Sequence, residues 1–243
     1  MPAEEQPFPS VWTRPPRQRR EQPSLSREQI VAAALRLMDA EGIDALSMRK
    51  LGTLLNAGAT SMYTHVANKD ELIELVVDEV YGEVELPVPG ADWLAAVTGC
   101  AHSIRATVLR HPWLVSVLGE AGVAYLGPNL IRLTEAILAV FEEGGFPLEA
   151  ADQAMNTVFA YVIGLSTSEA AWLTTLARSG QGEQEWAERL WPAAERAVRD
   201  HPRQRRLYAA QRGQNLAATR DGEFAVGLDC VLHGLAARLI PTS

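Results

Sequence analysis

Apolar positions recur at helical spacing through most of the chain, and capping residues punctuate them. Ile30, Ala33, Ala34, Leu37 and Met38 fall three and four apart, which predicts one buried helical stripe. Ser26, with Gln29 three residues on, forms a capping box, and Leu25 and Ile30 hold the two positions of a hydrophobic staple. Gly42 stops this helix, with Ile43 placed to pack back on the last turn as in a Schellman motif. Ser47 starts a second helix, stapled by Leu46 and Leu51 and ending at Asn56, a residue that tolerates left-handed backbone. Gly58 caps a third, Ala59 to Val66, whose apolar anchors are Met62 and Val66. Asn68 and Glu71 form another capping box, opening a fourth helix with Leu72, Leu75, Val76 and Val80 on its apolar side.

Leu86-Pro-Val-Pro-Gly90 breaks the pattern and marks a domain boundary. Beyond Asp92 there is no alternating strand pattern of any length. Trp93 to Arg110 reads as a helix stopped by His111-Pro112, followed by a short apolar helix from Trp113 to Gly119. Gly127-Pro128-Asn129 starts a helix to Glu143 that ends at Gly144-Gly145. A long helix follows from Leu148 to about Ala177. Residues 178–220 are more polar, with weaker helices broken by Pro192 and Pro202. Asp221 or Gly222 starts a last helix to about Leu239. The predicted fold class is all-α: an N-terminal three-helix helix-turn-helix domain over 26–85, linked to a larger helical domain over 90–240.

Net charge is −8, which argues against a generic nucleic-acid coat. It leaves room for a small local basic face: the acids Asp39, Glu41, Asp70, Glu74 and Asp78 fall in the flanking helices, while Arg49, Lys50 and Lys69 lie in or beside the helix-turn-helix unit. Residues 1–25, rich in Pro, Gln and Arg, read as a disordered basic arm. Two roles fit it: a solubilising tail, or an arm that touches phosphates or the minor groove. Cys100 and Cys230 lie in apolar helical contexts and read as buried thiols, not a disulfide or metal pair. Neither a signal-peptide core nor an apolar run near the ~20 residues of a membrane span is visible, so the expected location is cytoplasmic.

The third helix suits a major groove, which admits one helix and meets its N-terminal residues first. It is short and carries Ala59, Thr60, Ser61, Tyr63, Thr64 and His65 on its non-anchor positions. Thr60 and Ser61 can bond base edges or phosphates, and Tyr63 and His65 can donate to phosphate oxygens. Arg49 can reach a guanine edge or a phosphate, and Lys69 a phosphate. The same residues also admit plainer roles, as caps, as a wet-edged core tyrosine or as a surface histidine.

Residues 26–81 resemble the DNA-binding domain of the TetR family of transcriptional repressors. The likeness rests on Leu46-Ser47-x-Arg49-Lys50-Leu51-Gly52 and on Ser61-Met62-Tyr63-x-His65-Val66-x-Asn68-Lys69-x-Glu71-Leu72. A looser likeness to the C-terminal region of a TetR subgroup rests on Leu109-Arg-His-Pro-Trp113, Gly127-Pro-Asn129 and Phe224-x-x-Gly-Leu-Asp-x-x-Leu-x-Gly-Leu235, whereas 178–220 matches nothing recognisable. The resemblance implies operator contacts at Arg49, Ala59, Thr60, Ser61, Tyr63, Thr64, His65 and Lys69. Asn56 stands where the family usually has Gly, and Ala59 and Thr60 fall where members vary most.

It also implies a homodimer joined by its last long helices and a small-molecule pocket in each C-terminal domain. Gly227 and Gly234, one heptad apart, would permit close approach at the dimer interface, though such stripes serve intramolecular cores as well. Aromatic and polar groups on otherwise apolar helices are the pocket candidates: Trp93, His102, Arg105, Trp113, Asn129, Asn156, Tyr161 and Trp172. A ligand would shift the population toward a dimer whose reading heads are spaced wrongly for DNA, with the fourth helix as lever. No cofactor or metal is expected. Competing readings are an all-α enzyme or ligand-binding domain without DNA binding, an activator on the same fold, and a scaffold that has lost DNA binding. The enzyme reading lacks a Glu-x-x-His pair, a Gly-x-Ser-x-Gly elbow and a phosphate-binding Gly loop.

Overall fold

Local capping chemistry places the first four helices. In the computed structural model, which describes residues 25–90, 92–118 and 127–239, Ser26 caps α1 (Arg27–Glu41) with the full capping box. Its hydroxyl accepts from Gln29 N at 3.2 Å, and the Gln29 side chain accepts from Ser26 N at 2.9 Å. The arm expected over 1–25 lies, apart from Leu25, outside the described residues. Gly42 ends α1 at φ 84°, ψ 170°, backbone that favours glycine, and leads into a 3₁₀ turn, Ile43–Ala45. The Schellman stop expected at Gly42 is therefore not formed, although Ile43 still packs on the core.

Ser47 caps α2 (Met48–Leu54), with Leu46 and Leu51 buried beneath. The Schellman motif occurs at the end of this helix instead. Asn56 sits at φ 48°, Asn56 N donates to Thr53 O at 3.2 Å, and Ala57 N donates to Gly52 O at 2.9 Å. Gly52 permits the closure, since a Cβ there would lie 2.9 Å from Ala57 O. α3 (Ala59–His65) follows at once, capped by Gly58. Asn68 caps α4 (Lys69–Tyr81) by accepting from Glu71 N at 2.8 Å. The Glu71 side chain accepts from Ala67 N at 2.9 Å, so it reaches back one residue further than a capping box requires.

The second domain is built from α5 (Trp93–Arg110), α6 (Leu114–Leu118), α7 (Pro128–Glu143), α8 (Leu148–Ser179), α9 (Glu183–Ala197), α10 (Pro202–Gln211) and α11 (Leu216–Ala236). No strand occurs among the described residues, as the all-α reading requires. α7 ends in a second Schellman motif, with Gly145 at φ 94° and Phe146 folded back on Phe141 and Trp93. α5, α7 and α8 pack together around Val97, Ile104, Val140, Phe141, Met155 and Val158, and α11 lies against α8 through Phe224 and Leu228.

Two boundaries differ from the pattern. Pro192 sits inside α9 and does not break it; a proline deletes one N–H, while hydrogen bonds on either side can carry the helix on. α11 begins at Leu216 because the Asn215 side chain caps it, accepting from Ala218 N at 3.1 Å.

Candidate nucleic-acid interface and effector domain

α3 presents a polar face because its apolar face is spent on anchoring. Met62 and Val66 are both fully buried against the α1–α4 core, and burial of such side chains stabilises by roughly 1.5–3 kcal/mol each. That fixes the roll of the helix. Tyr63 is then 46% exposed, Thr64 is exposed, and Ser61 and His65 are half-buried. Thr64 Oγ1 donates to Ser61 O at 2.6 Å. Ala59 and Thr60 form the first turn of α3. Arg49 is exposed on α2, and Lys69 is half-buried in the first turn of α4. Neither α2 nor α3 carries an acidic residue. An open groove of about 500 Å³, lined by Met48, Arg49, Gly52, Thr53, Asn56, Ala57 and Gly58, runs beside the turn. Lys50 turns away and pairs with Glu41.

Two polar clusters join the reader to the second domain, beside the hydrogen bond from Glu85 N to Ser103 Oγ at 2.9 Å. At the first, Asp39 Oδ1 on α1 meets His111 Nδ1 at 2.7 Å and accepts from Trp113 Nε1 at 2.7 Å, while Glu83 lies 3.2 Å from His111 Nε2 and pairs with Arg110. At the second, Asp78 on α4 takes the N-terminus of α7. Its Oδ1 accepts from Asn129 N at 3.0 Å and Leu130 N at 3.1 Å, and Asn129 Nδ2 donates to Asp78 O at 3.0 Å. A carboxylate suits those N–H groups and the positive end of the helix dipole. Burial nonetheless pushes the Asp78 carboxyl above its ordinary value, against the lowering effect of the Leu130 and Asn129 bonds. Gly127 gives the carboxylate its space, since a Cβ there would lie 2.0 Å from Asp78 Oδ1.

The eight residues singled out for an effector pocket separate into groups. Trp113 and Asn129 belong to the domain joint. Trp93 packs on Phe141 and Phe146. Asn156 is exposed and bonds Asp152 at 3.2 Å. Trp172 donates to Glu183 at 2.9 Å and packs edge-on against Trp186. His102, Arg105 and Tyr161 come together around Phe224. The His102 and Phe224 ring centroids are 5.0 Å apart, the Arg105 guanidinium lies 4.8 Å over the Phe224 ring, and Tyr161 Oη donates to Phe224 O at 2.9 Å. Arg105 is buried and bonds Glu169 through two nitrogens, at 2.8 and 2.9 Å, and Asp221 at 2.8 Å. Arg220 extends the network from Glu169 to Glu183, and its bond holds the Glu183 carboxyl below the usual range.

A narrow apolar cavity of about 10 Å³ lies between α5, α7 and α8, lined by Val97, Cys100, Ala101, Ile104, Ile137, Met155, Val158 and Phe159. None of the eight expected residues lines it. Burial pushes the Cys100 thiol up to about 12. The companion expectation for Cys230 is corrected: it is exposed on α11, on the helix face opposite Phe224 and Leu228. Gly227 serves its own chain, because a Cβ there would lie 2.2 Å from Tyr161 Oη, whereas Gly234 faces open space. Among the described residues no group of three or more His, Cys, Asp or Glu could hold a metal, and no helix is long and apolar enough to cross a membrane.

Asp39, Asp78, Glu83 and Glu169 were not legible as joint or network residues. Their partners lie from 27 to 74 positions away, and local spacing carries no sign of such contacts.

Comparison with known proteins agrees with this geometry. Residues 30–76 match the family described as bacterial regulatory proteins, tetR family, and residues 86–239 match the tetracyclin repressor-like C-terminal domain. An HTH-type transcriptional regulator of Saccharopolyspora erythraea is 38% identical over 164 residues, covering 67% of this chain and 69% of that protein. The HTH-type transcriptional repressor DrrR1 of Streptomyces coeruleorubidus is 29% identical over 215 residues, covering 88% and 78%. The crystal structure of apo ActR from Streptomyces coelicolor superposes with a TM-score of 0.72 at 29% identity, covering 90% of this chain and 98% of that one. ActR in complex with actinorhodin gives 0.70 at 30% identity, covering 88% and 98%. The chain belongs to the TetR family of DNA-binding transcriptional regulators.

Proposed function

We propose that the protein is a homodimeric repressor that reads a two-fold symmetric operator with one α3 per protomer and leaves it when a small molecule binds the second domain. The observation that carries the reading is α3 itself, rolled by buried Met62 and Val66 so that Ser61, Tyr63, Thr64 and His65 stand off the core, with Arg49 and Lys69 beside them. Ala59 and Thr60, at its N-terminus, complete the contact set. Two readers held about one DNA turn apart, ~34–36 Å, require a dimer. The outer face of α8 supports one: Ala160, Gly164, Ser168, Ala171 and Thr175 are small, exposed and three to four apart.

The effector site we assign is the seam between α5 and α8, with His102, Arg105 and Tyr161 as its polar rim. Ser166 supports it: the hydroxyl is fully buried, follows Val158 and Val162 along the seam side of α8, and has no hydrogen-bond partner among the described residues. A buried hydroxyl left unbonded costs about 1–3 kcal/mol, which a ligand bonded to it would recover. A cavity of about 10 Å³ holds no organic molecule, so entry parts α5 from α8 and shifts the population of domain arrangements. ActR, the structural relative, has been crystallised in complex with actinorhodin and with (S)-DNPA.

The test is a gel shift on DNA upstream of the protein's own coding sequence, repeated with Arg49→Ala and Tyr63→Phe. Wild type retards the fragment and both variants lose affinity. Equal retardation by all three removes α3 and Arg49 from the reading face.

A further inference from the structure

His111 stands between two carboxylates that come from different parts of the chain. Its ring is buried, with 4% side-chain exposure, and each ring nitrogen faces an acceptor: Nδ1 meets Asp39 Oδ1 at 2.7 Å and Nε2 meets Glu83 Oε2 at 3.2 Å. Asp39 is on α1 of the reader, Glu83 follows α4, and His111 caps the end of α5 in the second domain. Arg110, which neighbours His111, pairs with Glu83, and Trp113 adds its indole N–H to Asp39 Oδ1.

The arrangement decides between protonation states by counting donors. A neutral imidazole carries one N–H and one lone pair, whereas an imidazolium carries two N–H groups. With the ring neutral, one nitrogen lone pair points at a carboxylate oxygen and that contact is repulsive. The formal charges of Asp39, Glu83 and Arg110 then sum to −1. With the ring protonated both nitrogens donate, the cluster is neutral, and α1, the end of α4 and the end of α5 are tied through one side chain. Hydrogen bonds to charged groups are among the stronger ones, and the ring that makes them is buried, while the Asp39 and Glu83 side chains are 32% and 31% exposed.

We propose that His111 is a proton-operated clasp between the reader and the second domain, closed when the imidazole is protonated and loosened when it is neutral. The placement of the reading head, and hence operator affinity, then responds to pH. This rests on reading α3 as the operator-binding helix.

The full-length protein labelled with 5-fluorotryptophan gives one ¹⁹F resonance per tryptophan, and Trp113→Phe assigns the one bonded to Asp39. Between pH 5.5 and 8.5 the Trp113 resonance of wild type should move through a single transition. In Glu83→Gln the side-chain amide can donate to the neutral ring's Nε2, so the clasp stays closed and the resonance stays near its low-pH position. His111→Gln removes the imidazole, and its resonance stays fixed. A resonance that moves equally in all three proteins, or in none, overturns the clasp. Operator affinity is read in parallel as the ratio of Kd at pH 8 to Kd at pH 6. Any pH dependence that arises at the reading face itself is common to wild type and Glu83→Gln, so it cancels between them. The two ratios should differ about three- to tenfold, the effect expected of one charge-assisted bond partly retained through water. Equal ratios overturn the proposed link to DNA binding. A wild type that binds no operator at either pH, with the ¹⁹F transition intact, refutes the reading of α3 and leaves the clasp standing.

Discussion

Replacing Gly127 by alanine tests whether α4 and α7 are joined as the structure has them. The added Cβ would lie 2.0 Å from Asp78 Oδ1, 2.3 Å from its Cγ and 2.7 Å from its Cβ. The first distance is more than about 1 Å inside van der Waals contact, so either the carboxylate leaves the N-terminus of α7 or α7 moves. In both cases the bonds from Asn129 N at 3.0 Å and Leu130 N at 3.1 Å cannot both survive. Each is a bond to a carboxylate, worth roughly 1.5–3 kcal/mol. Loss of one with weakening of the other gives an expected destabilisation of about 2–4 kcal/mol. Denaturant unfolding followed by circular dichroism measures it. The partner is identified by repeating the substitution in an Asp78→Ala background. There the clashes with the carboxylate are gone while the one with the Cβ at 2.7 Å remains, and the cost should fall by about 1–2 kcal/mol. Gly127→Ala within about 0.5 kcal/mol of wild type, or the same cost in both backgrounds, would refute the reasoning.

Three further outcomes follow. Because burial raises the Asp78 carboxyl above its ordinary 3.8, the native state holds that proton more tightly than the unfolded chain. Its contribution to stability is full below the ordinary value and is lost as pH rises through the raised one. Wild type should therefore gain stability relative to Asp78→Asn on going from pH 7 to pH 4, and an opposite or flat difference in unfolding free energy contradicts this. Asn56→Ala should cost about 1 kcal/mol because φ is 48° there, while Asn56→Gly should be close to neutral; thermal melting distinguishes them, and equal loss in both points to the side chain instead of the backbone. A thiol reagent at pH 8 should modify exposed Cys230 promptly and buried Cys100, its thiol held at about 12, only on unfolding; two fast equivalents in the native protein argue against a closed α5–α8 seam.

The reader was legible in the sequence because its signals are local. Ser26 with Gln29, Ser47, Asn56 and Asn68 each act within a few residues of themselves, and the structure forms each cap or turn. Gly42 was misread because a glycine at a helix end announces a positive φ but not which ψ follows it. Pro192 was misread because a proline removes one bond while its neighbours keep theirs. Asn215 was overlooked as a cap in a polar stretch where asparagine also suits a loop. The joint was invisible for a different reason. Gly127 reads from sequence as a helix start, and its service to Asp78, with bonds spanning 51 and 52 positions, exists only once the domains are packed. The same holds for His111, whose Asp39 partner lies 72 residues away. Trp113 and Asn129 were singled out as pocket candidates, and the packing places both at the joint.

The central claim is that α3, with Arg49 and Lys69 at its flanks, is the surface that grips operator DNA. Fluorescence anisotropy with the upstream fragment, for wild type and the Arg49→Ala/Lys69→Ala double variant over a range of salt concentrations, tests it most directly. The account predicts that the double variant binds at least about 100-fold more weakly, with a salt slope shallower by about one to two. It also predicts an unchanged far-ultraviolet circular dichroism spectrum. Full binding by the folded double variant, with the wild-type salt slope, would contradict it.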